Sequence, residues 1–208
     1  APPSFSFSYT PPVGKTVLWI NDLEVGYDQP LLPPMNLMLR AGQKIAVTGF
    51  NGIGKTTFLK TICGFLPPVH GSFRMADRLK IGYFEQEHIW SDPSLTPLQE
   101  VKNCFPKLND KEVRAALARS GLKSTLMMQK LSTLSGGEQA KVKICKLTLE
   151  SFGLLVLDEP TNHLDRLAIE RLITAIWEFE GTVIFVSHSK EFCDEVADAT
   201  FNFESLFD

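Results

Sequence analysis

The sequence has few cysteines and histidines, and their spacing argues against two common kinds of small stabilised domain. Its four cysteines are widely scattered, form no C-x-x-C pair, and do not combine with the four histidines into a zinc-binding pattern. Neither a disulfide scaffold nor a structural zinc site is therefore indicated. Reduced thiols in a cytoplasmic protein are the expected state of Cys63, Cys104, Cys145 and Cys193.

Long apolar runs and a dominant charge are also lacking. No uninterrupted apolar run exceeds about five residues, whereas a membrane helix needs about 18, so we expect no transmembrane segment. The net charge of −3 provides no general attraction to nucleic acid. No charged segment precedes an apolar one near the N-terminus, so a signal peptide is not expected. Because the chain starts at Ala1 and its first methionine is Met35, an excised domain and a removed initiator methionine both stay open.

The chain has the composition of one globular domain. It has 208 residues, of which 44% are hydrophobic and 22% charged, enough for a core and a subdomain. Period-two and continuous apolar patterns predict strands. The predicted early strands are Ser4–Tyr9, Val17–Ile20, Met35–Leu39, Ser72–Arg74 and Lys80–Phe84. We expect the first two to pair with each other and the last two to be antiparallel.

Between about residues 94 and 151 the pattern is helical. Thr96, Pro97 and Gln99 have the spacing of a helix start with a capping box. Asp110 is expected to cap a helix over Lys111–Ser120, because Gly121 follows it as a terminator.

The segment Gly49–Thr56 predicts a phosphate-binding loop. It matches G-x-x-x-x-G-K-[ST] at every fixed position. Glycines allow a tight turn in which successive backbone N–H groups converge on a phosphate. Lys55 adds a positive charge for the β- and γ-phosphates, and the Thr56 hydroxyl suits Mg²⁺. The motif therefore indicates a nucleoside triphosphate.

The surroundings of this motif have the required strand and helix. Lys44–Thr48 predicts a buried strand, and Thr57–Cys63 predicts a helix that ends at Gly64. The helix N-terminus would then point at the phosphates. The chain also contains a second GKT, Gly14–Thr16, which we interpret as a turn because position 9 is tyrosine instead of glycine and no apolar strand precedes it.

Two further motifs support nucleotide chemistry. Leu154–Asp158 is an apolar strand that ends in a carboxylate suited to Mg²⁺, and Glu159 follows as a candidate general base. The alternative is that two acids merely start a loop. In Leu134–Gln139, Ser135 predicts a helix N-cap and the two glycines leave the backbone open to an anion. A flexible turn with an ordinary cap is the alternative there.

The order and spacing of GFNGIGKTT, LSGGEQ, LLVLDEP and His188 resemble those of ATP-binding cassette (ABC) ATPases over about 140 residues. Within that superfamily the chain is most similar to a second cassette of the tandem ABC-F proteins. The segments that carry this closer resemblance are Glu159–Asp165, Gly82–Gln86 and Gly181–Ser189. Ser189 departs from the transporter pattern, which has aspartate after the histidine.

The resemblance implies an α/β fold, the P-loop NTPase fold of an ABC-type nucleotide-binding domain. Residues 1–208 would form a single ABC ATPase domain. About 1–90 and 152–208 would form the core with an antiparallel β subdomain, and about 91–151 an α-helical subdomain.

ATP and Mg²⁺ are the cofactors that the resemblance implies. Tyr27 would stack on adenine, although an ordinary surface or core tyrosine is the alternative. The phosphates would lie against Gly49, Asn51, Gly52, Gly54, Lys55, Thr56 and Thr57. Mg²⁺ would be held by Thr56, Gln86 and Asp158.

The resemblance also implies catalysis at a composite site. Glu159, Gln86 and His188 would be the catalytic residues, with Gln86 touching the attacking water and His188 the γ-phosphate region. A second cassette, in the same polypeptide or in a homodimer, would face the first. Ser135, Gly136 and Gly137 would reach the ATP of that facing cassette, and Asp165 would lie between the two sites.

Three functional classes stay open at the level of sequence. The first is an ABC-F translation factor or antibiotic-resistance protein with the ribosome as partner, which the EPTNHLD segment favours. The second is the motor subunit of a membrane transporter. The third is a nucleotide-dependent switch like DNA-repair relatives, which would need long coiled-coil insertions. Lys141, Lys143 and Lys146 predict a solvated face, with ribosomal RNA contact as the alternative.

Overall fold

The structure is a computed structural model that describes residues 2–208 and divides into two compact units. The first, which we call the sheet unit, consists of Tyr9–Tyr83, Phe152–Glu159 and Glu180–Asp208. The second, the helical unit, consists of the residues up to Ser8, Phe84–Ser151 and Pro160–Phe179. No helix within residues 2–208 combines the length and the apolar character that a membrane span requires.

Ten strands and six α-helices follow one another within residues 2–208. The strands are β1 (Ser8–Tyr9), β2 (Thr16–Glu24), β3 (Met35–Arg40), β4 (Lys44–Thr48), β5 (His70–Met75), β6 (Ile81–Phe84), β7 (Ser151–Phe152), β8 (Leu154–Asp158), β9 (Thr182–Val186) and β10 (Ala199–Asn202). The α-helices are α1 (Lys55–Ile62), α2 (Pro97–Cys104), α3 (Asp110–Arg119), α4 (Gly136–Thr148), α5 (Arg166–Glu178) and α6 (Lys190–Val196).

The main sheet has five strands in the order β10-β4-β9-β8-β6. The pairs β10·β4, β4·β9 and β9·β8 are parallel. Every residue of β8 and β9 is buried, as their continuous apolar runs predict for strands covered on both faces. Because α5 lies between these two adjacent parallel strands in the chain, the three elements have the order of a βαβ unit.

A second sheet of the sheet unit is antiparallel, in the order β3-β2-β5. Its buried residues include Leu18, Ile20 and Leu39, which belong to the same hydrophobic core as β4 and β8. Lys80–Phe84, which the sequence groups with Ser72–Arg74 as an antiparallel strand, does not join this sheet, because its strand β6 lies beside β8 in the main sheet.

The pairing predicted for the first strand is also wrong. Only Ser8–Tyr9 is a strand, and it pairs with β7 instead of β2. Phe5 and Phe7 are nevertheless buried between exposed serines, as the period-two pattern predicts. The pattern reports which face is buried but not the hydrogen-bond partner, and the Ser4 N–H donates to the Arg119 carbonyl at 2.6 Å instead of to a strand.

Local capping signals position the helices of the helical unit. The Thr96–Gln99 capping box is confirmed at the start of α2, with Pro97 in the first turn. The cap of α3 is Asn109, one residue before the predicted Asp110, because the Asn109 side chain accepts from the Glu112 N–H at 2.8 Å. An N-cap of this kind stabilises a helix by about 1 kcal/mol.

Candidate functional site

The loop Gly49–Gly54 has the backbone shape that only glycine adopts readily. Gly49, Gly52 and Gly54 have φ values of 148°, 87° and 124°. This is the left-handed side of conformational space, where a β-carbon is strained. The loop connects β4 to the first residue of α1, so its turn is fixed between a buried strand and a helix.

The N-terminus of α1 lacks the side-chain cap that the other α-helices of the described residues have. Among the α-helices of the described residues, the other five have a side-chain N-cap, from Thr96, Asn109, Ser135, Asp165 and Ser189. The cap of α1 is Gly54, without a side-chain hydrogen bond and without an acidic residue in the first turn. The N–H groups of this turn, which no N-cap side chain bonds, and the positive end of the helix dipole therefore suit an external anion.

A buried lysine supplies a positive charge at this loop. Lys55 is 9% exposed, and its Nζ donates to the Gly49 carbonyl. Thr56 is half-buried and Thr57 buried in the same helical turn, whereas Asn51 is exposed at the loop tip. Open N–H groups, an ammonium group and a hydroxyl are the donors that a triphosphate with Mg²⁺ requires.

Tyr27 lies on a tight turn in which the backbone at Gln29 comes so close to residue 26 that only glycine fits there. A β-carbon at Gly26 would collide with the Gln29 carbonyl oxygen. The Tyr27 side chain is 63% exposed, so its ring face is accessible to a base. The residues just after this turn pack on the phosphate loop, because a β-carbon at Gly54 would lie 3.2 Å from the Leu32 side chain.

Two buried carboxylates lie at the end of β8 in the sheet unit. Asp158 is 0% and Glu159 3% exposed. Glu159 has a φ of 51°, a strained value for a residue with a side chain. Its N–H donates to the Val186 carbonyl at 2.8 Å, which ties the strained residue to the end of β9.

His188 contacts the Glu159 carboxylate twice. The His188 N–H donates to Oε2 at 3.1 Å, and its ring Nε2 lies 3.0 Å from Oε1. Burial raises the pKa of Glu159 above its ordinary value of 4.5, His188 opposes that rise, and the charge of Asp158 adds to it while that of Lys55 lowers it. These four residues, all in the sheet unit, therefore interact electrostatically.

The other predicted site residues lie in the helical unit. Gln86 is exposed just after β6. Ser135 caps α4 by accepting from the Glu138 N–H at 3.2 Å, and its hydroxyl hydrogen can still be donated to a phosphate. Asp165 caps α5 by accepting from the Ala168 N–H at 2.8 Å.

His163 is a residue that the sequence did not single out. A β-carbon at Gly136 would lie 2.8 Å from its ring, and one at Gly137 would lie 2.5 Å from its carbonyl oxygen. The His163 ring also contacts the His88 ring, with centroids 5.1 Å apart. Glycine is therefore required at both positions because His163 lies so close to them, whether or not a ligand binds there.

The predicted solvated lysine face is wrong. Lys141, Lys143 and Lys146 are all partly buried. Lys143 donates to the Glu85 carbonyl, and Lys146 lies 3.7 Å from the buried Glu100 carboxylate. Long lysine stems cover apolar surface while the ammonium group finds oxygen partners, which the spacing of charges alone does not reveal.

The chain is similar to a large family of nucleotide-binding proteins. A family model described as ABC transporter matches residues 32–162. YfmM of Bacillus subtilis, described as an uncharacterized ABC transporter ATP-binding protein, is 45% identical over 203 residues, which are 98% of this chain and 39% of that protein. ABC transporter F family member 2 of Arabidopsis thaliana is 37% identical over 186 residues, 88% of this chain and 27% of that protein. The chain thus spans less than half the length of these curated relatives.

A solved structure has the same arrangement of elements. The ATP-binding cassette MJ0796, described as dimeric in a post-hydrolysis state bound to ADP and Pi, matches with a TM-score of 0.75. The match covers 89% of this chain and 94% of that chain at 21% sequence identity. At that identity the likeness concerns the fold.

Proposed function

This chain belongs to the ABC transporter family, with the α/β P-loop NTPase fold of ABC ATPase cassettes, and we propose that it hydrolyses ATP in face-to-face pairs. The observation that carries the proposal is the open N-terminus of α1 behind a glycine loop and beside Lys55. Buried Asp158 and Glu159 supply the carboxylates that the reaction needs. All four cysteines are free thiols, which suits a reducing cytoplasm.

The proposed binding step uses the residues of the phosphate loop. Backbone N–H groups of Gly49–Gly54 and the start of α1 would hold the triphosphate, with Lys55 against the β- and γ-phosphates. Tyr27 would stack on adenine. Thr56, Asp158 and Gln86 have the oxygen donors that hard cations prefer, and bound Mg²⁺ would neutralise charge on the phosphates.

Glu159 would act as general base in the proposed hydrolysis. Its carboxylate accepts a proton from water as the water oxygen bonds to the γ-phosphorus. The bond from that phosphorus to the bridging oxygen breaks, and ADP leaves with the bonding electrons. The His188 N–H donates to one carboxylate oxygen and its ring lies beside the other, so the base is oriented before the reaction begins.

We predict that the acid limb of the pH–rate profile lies above the usual range of a glutamate. The charged form of Glu159 is the base, so kcat/KM falls as the pH is lowered through its pKa. Because burial raises that pKa above 4.5, the midpoint should lie above pH 4.5. ATPase assays across the acid range, with circular dichroism at each pH to verify folding, measure it. A midpoint at or below 4.5 in folded protein would contradict the assignment.

We also predict that the specific ATPase activity rises with protein concentration. In the proposed composite site, the phosphate loop and Glu159 of one cassette act with Ser135–Gly137 of another. At low concentration most chains are without a partner, so doubling the concentration should more than double the total rate. Steady-state assays paired with sedimentation velocity measure both quantities. Constant specific activity in a demonstrated monomer would rule out the composite site.

We further propose that the cassette is part of a tandem ABC-F protein that acts on the ribosome. The EPTNHLD segment and the likeness to an F family member support this assignment, as does the chain's coverage of only 39% of YfmM and 27% of that F family member. A transporter motor is the second candidate, favoured by the descriptions of the family model and of YfmM. Co-sedimentation of the parent protein with ribosomes distinguishes the two.

A further inference from the structure

Lys143 is bound to the chain segment that carries Gln86. It lies in the middle of α4, and its Nζ donates to the carbonyls of Glu85 and Glu87, the latter at 3.2 Å. The same Nζ lies 4.0 Å from the centroid of the Phe84 ring. One ammonium group therefore contacts residues on both sides of Gln86.

The chemistry of these contacts favours a fixed geometry. An ammonium group has three donor hydrogens and no acceptor, and bonds from a charged donor are stronger than those between neutral groups. The Phe84 ring adds a cation–π contact at its face. Gln86 itself is exposed. The contacts of Lys143 therefore restrain the backbone on either side of Gln86 while the Gln86 side chain stays accessible.

A second contact joins this segment to the start of α4. Nδ1 of His88 lies 3.4 Å from Lys143 Nζ, and the His88 ring packs against His163. These contacts place His88 between Lys143 and His163.

His163 completes the connection, because it packs on both glycines of the motif at the start of α4. The segment Phe84–His88, the glycines Gly136 and Gly137, and His163 thus form one contiguous cluster in the helical unit. Lys143 contacts this cluster from the middle of α4.

From these contacts we propose that Lys143 is a positioning residue for Gln86. The inference rests on the proposed ATPase function, in which Gln86 contacts Mg²⁺ and the attacking water. Lys143 contacts neither. It fixes the backbone on both sides of Gln86, so that the side-chain amide projects from a defined position when nucleotide is bound.

The test is Lys143→Met in the full 208-residue chain. Methionine keeps an unbranched apolar stem against Phe84 but removes the ammonium group. We expect kcat to fall about tenfold and the Mg²⁺ concentration for half-maximal rate to rise about tenfold, the usual scale for groups that orient a metal ligand. The KM for ATP should change less than about twofold, because the phosphate loop is untouched.

Lys146→Met is the matched control. Lys146 is on the same helix and also partly buried, but it contacts Glu100 and Trp90 instead of the Gln86 segment. The Lys146→Met variant should have a lower thermal stability than the parent chain but the same Mg²⁺ requirement. Lys143→Arg, which keeps the positive charge and its donors, should restore most of the rate.

Hydrogen–deuterium exchange of the peptide containing residues 84–88 provides a readout that needs no catalysis. Exchange should be faster in Lys143→Met than in the parent chain and unchanged in Lys146→Met. Equal exchange in all three proteins, or the same kinetic change in both methionine variants, would overturn the inference. An inactive parent chain would instead argue against the proposed ATPase, and the exchange measurement would still decide the role of Lys143.

Discussion

Glu159→Gln should bind ATP like the parent chain and hydrolyse it about 10²–10⁴-fold more slowly, the range for loss of a general base. The amide has nearly the same shape, and its oxygen can still accept from the His188 N–H that now bonds to Oε2. It cannot accept a proton from water at neutral pH. Nucleotide titration by fluorescence and single-turnover hydrolysis measure the two effects separately.

Glu180→Gln is a suitable control for the loss of negative charge. Glu180 is exposed in the same unit and lies two residues before β9. It should hydrolyse ATP at the parent rate. If Glu159→Gln also does so, then Glu159 is not the base, and Gln86 or His188 becomes the candidate.

Glu159→Gln also tests the proposed partner. If hydrolysis reopens the face-to-face pair, the variant accumulates in its ATP-bound closed form. In the tandem parent protein, this form should co-sediment with ribosomes when ATP is present and not when it is absent. Co-purification with an integral membrane protein would instead favour the transporter motor.

Much of this architecture follows from local sequence signals. The glycine loop, the capping boxes at Thr96 and Ser135, and the buried strand that ends at Asp158 are each specified within a few residues. Backbone conformation and helix capping depend on near neighbours. The sequence could therefore predict these elements and the residues that they carry.

What the sequence could not provide depends on contacts between distant segments. The partner of β1 is β7, more than 100 residues away. Lys143 looked like a solvated charge because its carbonyl partners are 56 and 58 residues distant in the chain. His163 had no local signal at all, and its packing on Gly136 and Gly137 emerges only in three dimensions.

Lys55→Ala should weaken ATP binding by about 10- to 150-fold. Hydrogen bonds to charged groups contribute about 1.5–3 kcal/mol, and every 1.4 kcal/mol is a tenfold change in affinity. Lys55 is 9% exposed, so its interaction with phosphate would be little screened by solvent. Isothermal titration calorimetry of both proteins with ATP measures the difference, and thermal unfolding without nucleotide verifies that the variant is folded.

The chain provides its own control for this prediction. Lys15 lies in the second GKT, where the structure has an exposed turn before β2 instead of a loop before a helix. Lys15→Ala removes the same side chain from the same tripeptide, yet it should leave ATP affinity unchanged, because no helix N-terminus follows it. Equal affinities in Lys55→Ala and the parent chain would mean that Gly49–Thr56 does not bind the triphosphate. A loss of affinity in Lys15→Ala alone would transfer the site to the N-terminal turn.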